Sequence, residues 1–338
     1  MASERETTIH EHSPETVEHL LRDMLRIRIF DDVALQQFKE GDIPGFLHLC
    51  HGHEGSHAGM GAALRDDDWL AVGGSRLHGQ YIVKGVPMTE IMAEIYGKAT
   101  GPNKGKGGSM HLADIDRRLY GHAATIGSGQ NPAVGMALGE QMNETGNAVV
   151  TTIGDGGTSR GSFHTALVFA SVWDLPIVFV IENNGFAISY DTQRNYKIER
   201  LSDYGKPLKI PSTSIDGRDP LEVYETVSEA LDRARDGGGP TVIEIRVRRI
   251  RGHFEGDKEV YRTAEEKQES SEKWDPIVRF RKELLRSEFM SEDEYDAIRE
   301  EIEAEVRDAV EFAEESPPPN PDVAYEDIYV RPFYGEGE

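Results

Sequence analysis

Along the first forty residues the apolar positions Leu20, Leu21, Met24, Ile27, Leu35 and Phe38 recur near helical spacing, the signature of one buried stripe. Ser13-Pro14 supplies the start, with Ser as N-cap and Pro at the first helical position. Residues 41–62 are rich in Gly and His and read as loop followed by a small-residue helix. Residues 97–132 carry many glycines and little apolar periodicity; a loop this long inside a compact domain is usually functional.

From Ala148 the pattern becomes alternating. Ala148–Ile153 is a short apolar run ending at Gly154, Phe163–Val172 is apolar and helix-length, and Ile177–Ile181 follows Pro176 as a second continuous apolar run. Strand, turn, helix, strand is a βαβ unit, and runs apolar on both faces belong to a buried parallel sheet. Asp216-Gly217 marks a turn before a helix near Leu221–Arg235; Gly237–Gly239 and Pro240 end it, and Val242–Val247 reads as a further strand. Ser291 with Glu294 forms a capping box ahead of Tyr295, Ile298, Ile302, Val306, Ala309 and Ala313, and Pro317–Pro319 stops that helix. The expected fold is α/β: one domain over 14–330, a mostly parallel sheet with helices on both faces, helical N- and C-terminal extensions, and flexible ends at 1–13 and 331–338.

Composition narrows the chemistry. The single cysteine, Cys50, makes no intrachain disulfide and no zinc site by itself. The opening residues are charged rather than apolar-cored, and no stretch approaches the ~18 apolar residues of a membrane span, so a soluble cytoplasmic protein is expected. The formal net charge of −24 argues against a nucleic-acid partner. That charge is spread along the chain, as in surfaces adapted to high salt. It also raises the question of how so acidic a chain holds an anionic ligand, and a divalent cation is one answer.

The segment Ile153–Ser189 answers it most directly. Gly154-Asp155-Gly156 closes one strand and Asn183-Asn184 closes the next, about thirty residues further on. Ligands of open parallel sheets bind outside the carboxyl ends of the strands, so both groups should face one crevice. Mg²⁺ wants about six oxygens in octahedral array. Asp155 offers a carboxylate, Asn184 an amide oxygen and Phe186 a backbone carbonyl, with phosphate and water left to complete the set. Gly156 and Gly157 allow close backbone approach to phosphate, and the helix after Gly161 adds its positive end.

The segment resembles the thiamine diphosphate motif, and its surroundings resemble the alpha chains of the 2-oxo acid dehydrogenase family, which acts on pyruvate, branched-chain 2-oxo acids or acetoin. GFLHLCHGHEG at 45–55, SRLHGQYIVKG at 75–85, GKGGSMH at 105–111, IGSGQNPAVGMALG at 126–139 and RGHFEGD at 251–257 carry the likeness. The resemblance implies thiamine diphosphate and Mg²⁺ as cofactors in a thiamine diphosphate-binding fold. Asp155, Asn184 and the Phe186 carbonyl would be metal ligands, and Gly156, Gly157 and Arg76 diphosphate contacts. Ala124 and Ile126 would support the aminopyrimidine, and His48 and His253 would be catalytic histidines beside cofactor and substrate. It further implies a beta subunit that supplies the activating glutamate, a heterotetramer, and a lipoyl-bearing acyltransferase that receives the acyl group. Phe254 after the histidine leans toward acetoin or an unassigned archaeal-type 2-oxo acid enzyme.

Against the family's pattern, Ser75 precedes Arg76 where Tyr or His is usual, and Ser159, Thr165 and Val168 replace Asn, Glu and Asn. These changes motivate a second reading, a non-catalytic paralogue that binds a partner. A dinucleotide-binding reading fails because Gly127-Ser128-Gly129 lacks its third glycine. His51, His53 and His57 are not expected to bind metal, for want of a sharp helical pair with a glutamate base and of any assisting cysteine. Arg248, Arg249 and Arg251 read equally as a solvated face or as an attractor of an acidic substrate or lipoyl partner. Lys104 and Lys106 read equally as phosphate contacts or as part of a flexible glycine loop.

Overall fold

A computed structural model describes residues 9–121 and 125–327. Its strands are β1 (Trp69–Ala71), β2 (Leu119–Tyr120), β3 (Val149–Gly154), β4 (Ile177–Asn183), β5 (Phe186–Ala187), β6 (Tyr190–Asp191), β7 (Ser212–Asp216) and β8 (Thr241–Arg246). The helices are α1 (Pro14–Glu40), α2 (Glu54–Ala63), α3 (His78–Val83), α4 (Met88–Ile95), α5 (Gln130–Met142), α6 (Gly161–Val172), α7 (Pro220–Arg235), α8 (Ala264–Lys273), α9 (Pro276–Arg286) and α10 (Glu292–Glu315). Six strands form one sheet in the order β2-β1-β3-β4-β8-β7, every pairing parallel. The α/β fold expected from the sequence is the fold observed.

Alternation along the strands sets the layers. Val150, Val178, Val180, Ile243 and Ile245 face a core shared with α1, α2 and α7; Val149, Ile177, Phe179, Ile181 and Val242 face a second core with α5 and α6. The strands β3, β4 and β8 are buried on both sides, which is why their sequences read as nearly unbroken apolar runs. Ser13 accepts the Thr16 N–H at the start of α1, and the Ser291–Glu294 capping box is formed in both directions. α10 lies against α1 and α4, so the C-terminal helix wraps its own domain.

The strand order reverses between β1 and β3: the chain steps from β1 outward to β2, then resumes on the other side with β3 and β4. Such a switch point leaves a crevice above the carboxyl ends of both strands. Beyond β1 the chain runs through Gly73, where a Cβ would sit 2.1 Å from the Thr152 carbonyl oxygen, so only glycine allows this approach.

Candidate active site

The crevice is a cavity of about 730 Å³. It is walled by Gly73–Arg76 after β1, Gly154–Gly157 after β3, and Glu182, Asn184 and Phe186 around the end of β4. Gly154 pairs with Glu182 across β3 and β4, so the parallel register carries Asp155 and Asn184 to the same rim. Asp155 accepts a hydrogen bond from Thr192 Oγ1 at 2.9 Å. Burial pushes its carboxyl up, against the pull of Thr192 and of the Gly156 and Gly185 backbone. Asn184 Oδ1 takes the Phe186 N–H at 3.1 Å, and Arg248 Nη1 donates to the Asn184 carbonyl at 3.2 Å. Gly156 has Ala187 across from it, and Gly157 lies over Ile153 and Ile126; a Cβ at either would clash.

The opposite wall holds the histidines. His48 and His253 meet edge to face with ring centroids 5.0 Å apart. Burial and the neighbouring Arg76 guanidinium pull each down to about 3, so both are neutral imidazoles near pH 7. Arg76 is buried and donates through Nη2 to the carbonyls of Gly252 and His253, at 3.2 and 2.8 Å. Burial and Arg249 pull it down to about 10, still charged. The His253 N–H is held by Asp257 Oδ2 at 2.8 Å, and Phe254 packs edge-on against Phe46 at 5.7 Å.

Thus the cavity gathers His48, Arg76, Ile126, Asp155, Gly156, Gly157, Asn184, Phe186 and His253. Ala124 falls outside the described residues. The α6 N-terminus does not follow Gly154 directly; a 3₁₀ turn over Asp155–Ser159 comes first. Of the four departures, Ser75 and Ser159 line the cavity, while the Thr165 hydroxyl turns back onto the Gly161 carbonyl of its own helix and Val168 faces outward.

Three expectations need correction or completion. Arg249 is no solvated residue: it is 2 % exposed, donates to the Ile188 carbonyl and Tyr261, and keeps Nε and Nη1 unpartnered among the described residues. Among the described residues, Lys104 and Lys106 are not part of the cavity lining; both pair with Asp327, Lys104 also with Glu326, tying the glycine-rich loop to the C-terminal segment. The spacing within the histidine cluster differs from the expectation. His53 and His57 stand four apart with Glu54 between them, at the N-cap and first turn of α2, and β4 brings Glu182 to both. Met110, His111, Tyr190 and Asn195, which line the cavity from the glycine loop and the β5–β6 region, carried no signal in the sequence beyond their neighbourhood.

The donor set suits a metal-held diphosphate: a buried carboxylate and an amide oxygen on adjacent strand ends, glycines that admit a close backbone approach, and a buried guanidinium across the cavity. An open α/β sheet with this crevice at its switch point is the frame of a cofactor-binding enzyme. The chain belongs to the dehydrogenase E1 component family, whose pattern it matches over residues 22–322. It is 39% identical over 311 residues to the acetoin:2,6-dichlorophenolindophenol oxidoreductase alpha subunit of Bacillus subtilis, covering 92% of each chain. It is 38% identical to the subunit of the same name from Cupriavidus necator, over 94% of this chain and 95% of that one. With the pyruvate dehydrogenase E1 component alpha subunit of Rickettsia bellii it shares 34% identity, over 91% and 94%.

Proposed function

We propose that this chain is the alpha subunit of a thiamine diphosphate- and Mg²⁺-dependent dehydrogenase first component that cleaves acetoin or a small 2-oxo acid. Its acyl product passes to a lipoyl-bearing acyltransferase. The observation that carries this reading is the meeting of Asp155 and Asn184 in one cavity with Arg76, His48 and His253 on its far wall. Asp155, Asn184 Oδ1 and the Phe186 carbonyl hold the ion; Gly156, Gly157 and Arg76 hold the diphosphate; Ile126, with Ala124 beside it in sequence, supports the aminopyrimidine. When bound, the cofactor supplies a carbon nucleophile and an electron sink. His48 and His253, both uncharged, orient the substrate oxygen and hold or pass its proton. Arg76 fixes the His253 backbone, and Phe254 and Phe46 form an apolar wall that keeps water from the reacting carbonyl.

A beta partner fits the outer surface. Phe46, Ile188 and Tyr190 leave an exposed apolar rim at the cavity mouth, and α6 presents Val168, Phe169, Val172 and Trp173 outward. An exposed apolar helix face of this kind suits a protein interface. The partner supplies the acidic group that acts on the aminopyrimidine, in a heterotetramer. Among the described residues no helix is long and apolar enough to cross a membrane. The diffuse acidic surface fits a salt-rich cytoplasm, and a melting temperature that rises with KCl would support that.

Acetoin is favoured as substrate by Phe254 and by the two acetoin-enzyme relatives. The test is the chain co-expressed with its beta partner, given thiamine diphosphate, Mg²⁺ and an artificial electron acceptor, and offered acetoin, pyruvate and branched 2-oxo acids. Turnover of acetoin above the others is expected. Turnover of none of them would remove the catalytic reading.

A further inference from the structure

His53, Glu54 and His57 set two histidines one helical turn apart with a glutamate next to the first. The structure gives each a distinct task. Glu54 is fully buried and engaged elsewhere: Arg28 Nε donates to it at 2.6 Å, and it accepts the Gly52 N–H at 2.8 Å. It is therefore no hydrolytic base beside the histidines. Its place is taken from a distant point in the chain by Glu182, two residues before Asn184.

Around Glu182 Oε1 the spacing is close. His57 Nε2 stands 3.0 Å away and His53 Nδ1 3.3 Å away, and the three donor atoms lie within 4.8 Å of one another. Ligand atoms at the 2.0–2.1 Å bond length of a tetrahedral Zn²⁺ centre are about 3.3 Å apart. The shell around them is ordered. Gln80 Nε2 donates to Glu182 Oε2 at 3.1 Å, Thr152 Oγ1 donates to Gln80 Oε1 at 2.9 Å, and Ser56 Oγ donates to Glu182 Oε1 at 3.0 Å. The His57 ring lies flush on Gly79, where a Cβ would come within 2.2 Å of Nδ1, so that glycine fixes the ring plane. His53 and Glu182 also form part of the cavity wall, which leaves a fourth position open to a molecule from the crevice.

We propose that His53 Nδ1, His57 Nε2 and Glu182 Oε1 form a site for a divalent transition-metal ion of the Zn²⁺ or Co²⁺ class, separate from the Mg²⁺ position at Asp155 and Asn184. Donor chemistry keeps the two apart. Imidazole nitrogens with one carboxylate suit Zn²⁺ and its neighbours, whereas an all-oxygen set with phosphate suits Mg²⁺. An ion here ties the first turn of α2 to the end of β4. It also offsets the Glu182 charge at the floor of a crevice meant for an anion.

The full chain, stripped with a chelator and kept in saturating Mg²⁺, is titrated with Co²⁺. One equivalent per chain with the visible bands of a four-coordinate nitrogen–oxygen site is expected, and the loaded chain should melt a few degrees higher. His57→Gln and His53→Gln, each checked for an intact far-UV spectrum, should lose the bands, while Asp155→Ala and His51→Gln should keep them. Folded wild-type chain that takes up neither Co²⁺ nor Zn²⁺ overturns the proposal, as does uptake unchanged in both His53→Gln and His57→Gln. Loss of uptake only in Asp155→Ala would place the ion at the Mg²⁺ position and overturn it too. Failure of thiamine diphosphate binding with Co²⁺ uptake intact would count against the cofactor reading alone.

Discussion

Replacing Asp155 by Asn should make the cofactor-free chain slightly more stable and its thiamine diphosphate affinity far weaker. Asp155 is 2 % exposed. Burying an ion costs several kcal/mol, and each hydrogen bond to a charged group returns about 1.5–3 kcal/mol. Thr192 Oγ1 and the Gly156 and Gly185 backbone supply such bonds, yet the carboxyl is still pushed upward by burial, so the site without its ion carries a net cost. The folded chain then holds a proton over a pH interval where the unfolded chain has lost it, and stability falls as pH rises through that interval. Asn removes the charge and keeps an oxygen for Thr192. A gain of about 1 kcal/mol is expected, a rise of about 2 °C in the melting temperature of the cofactor-free chain, together with loss of that pH slope. Losing a charged ligand to the ion should cost about 3 kcal/mol, about 100-fold in affinity. Differential scanning calorimetry without cofactor and titration calorimetry with thiamine diphosphate and Mg²⁺ read the two effects separately. A variant that melts well below the wild type and binds the cofactor equally well would show Asp155 to be a structural residue and refute the reasoning.

Other perturbations have equally definite signs. Arg28→Met strands Glu54 and Asp275, which Arg28 bonds at 2.6 Å and at 3.0 and 3.2 Å; a loss of about 3–5 kcal/mol is expected, and adding Glu54→Gln should recover part of it in a thermal melt. His48 and His253 are held near 3 by burial and Arg76, below the ordinary 6.5. The unfolded chain therefore protonates first, and the stability they contribute is whole above pH 6.5 and drains as pH falls toward 3; a pH series of melts should flatten on that side in His253→Gln. Phe169→Glu with Val172→Glu alters an exposed face, so the isolated chain should melt within about 0.5 kcal/mol of wild type yet fail to co-elute with its beta partner in size-exclusion chromatography.

What the sequence made legible was local. Apolar runs bounded by Gly and Pro located β3, β4, β8 and the helices between them, and Ser13 and Ser291 marked true caps. Residues Asp155 and Asn184 could be paired because each ends such a run. β1 was lost because three residues show no period, and β7 because its sequence STSID is polar and half-buried at the sheet edge. The long glycine-rich stretch held β2 and the start of α5, both too slight or too polar to register. Contacts across the fold were the true blind spot. Glu182 reaches His53 and His57 only through the packing of α2 beside β4, and Asp31 reaches His78, and through it Ser109, only through α1.

The glycine-rich loop has an unusual support. Glu94, fully buried on α4, accepts the N–H groups of Asn103, Gly105, Gly107 and Gly108 with its two carboxylate oxygens. Among the described residues, 97–111 place no side chain in the apolar core, so the course of this part of the loop is set by one anion and its backbone, with Lys104 and Lys106 tied to the C-terminal segment. Its far end delivers Met110 and His111 to the cavity. Shape at the mouth of the crevice therefore depends on a helix outside it, and even a change as small as carboxylate to amide at position 94 would be felt at Met110 and His111.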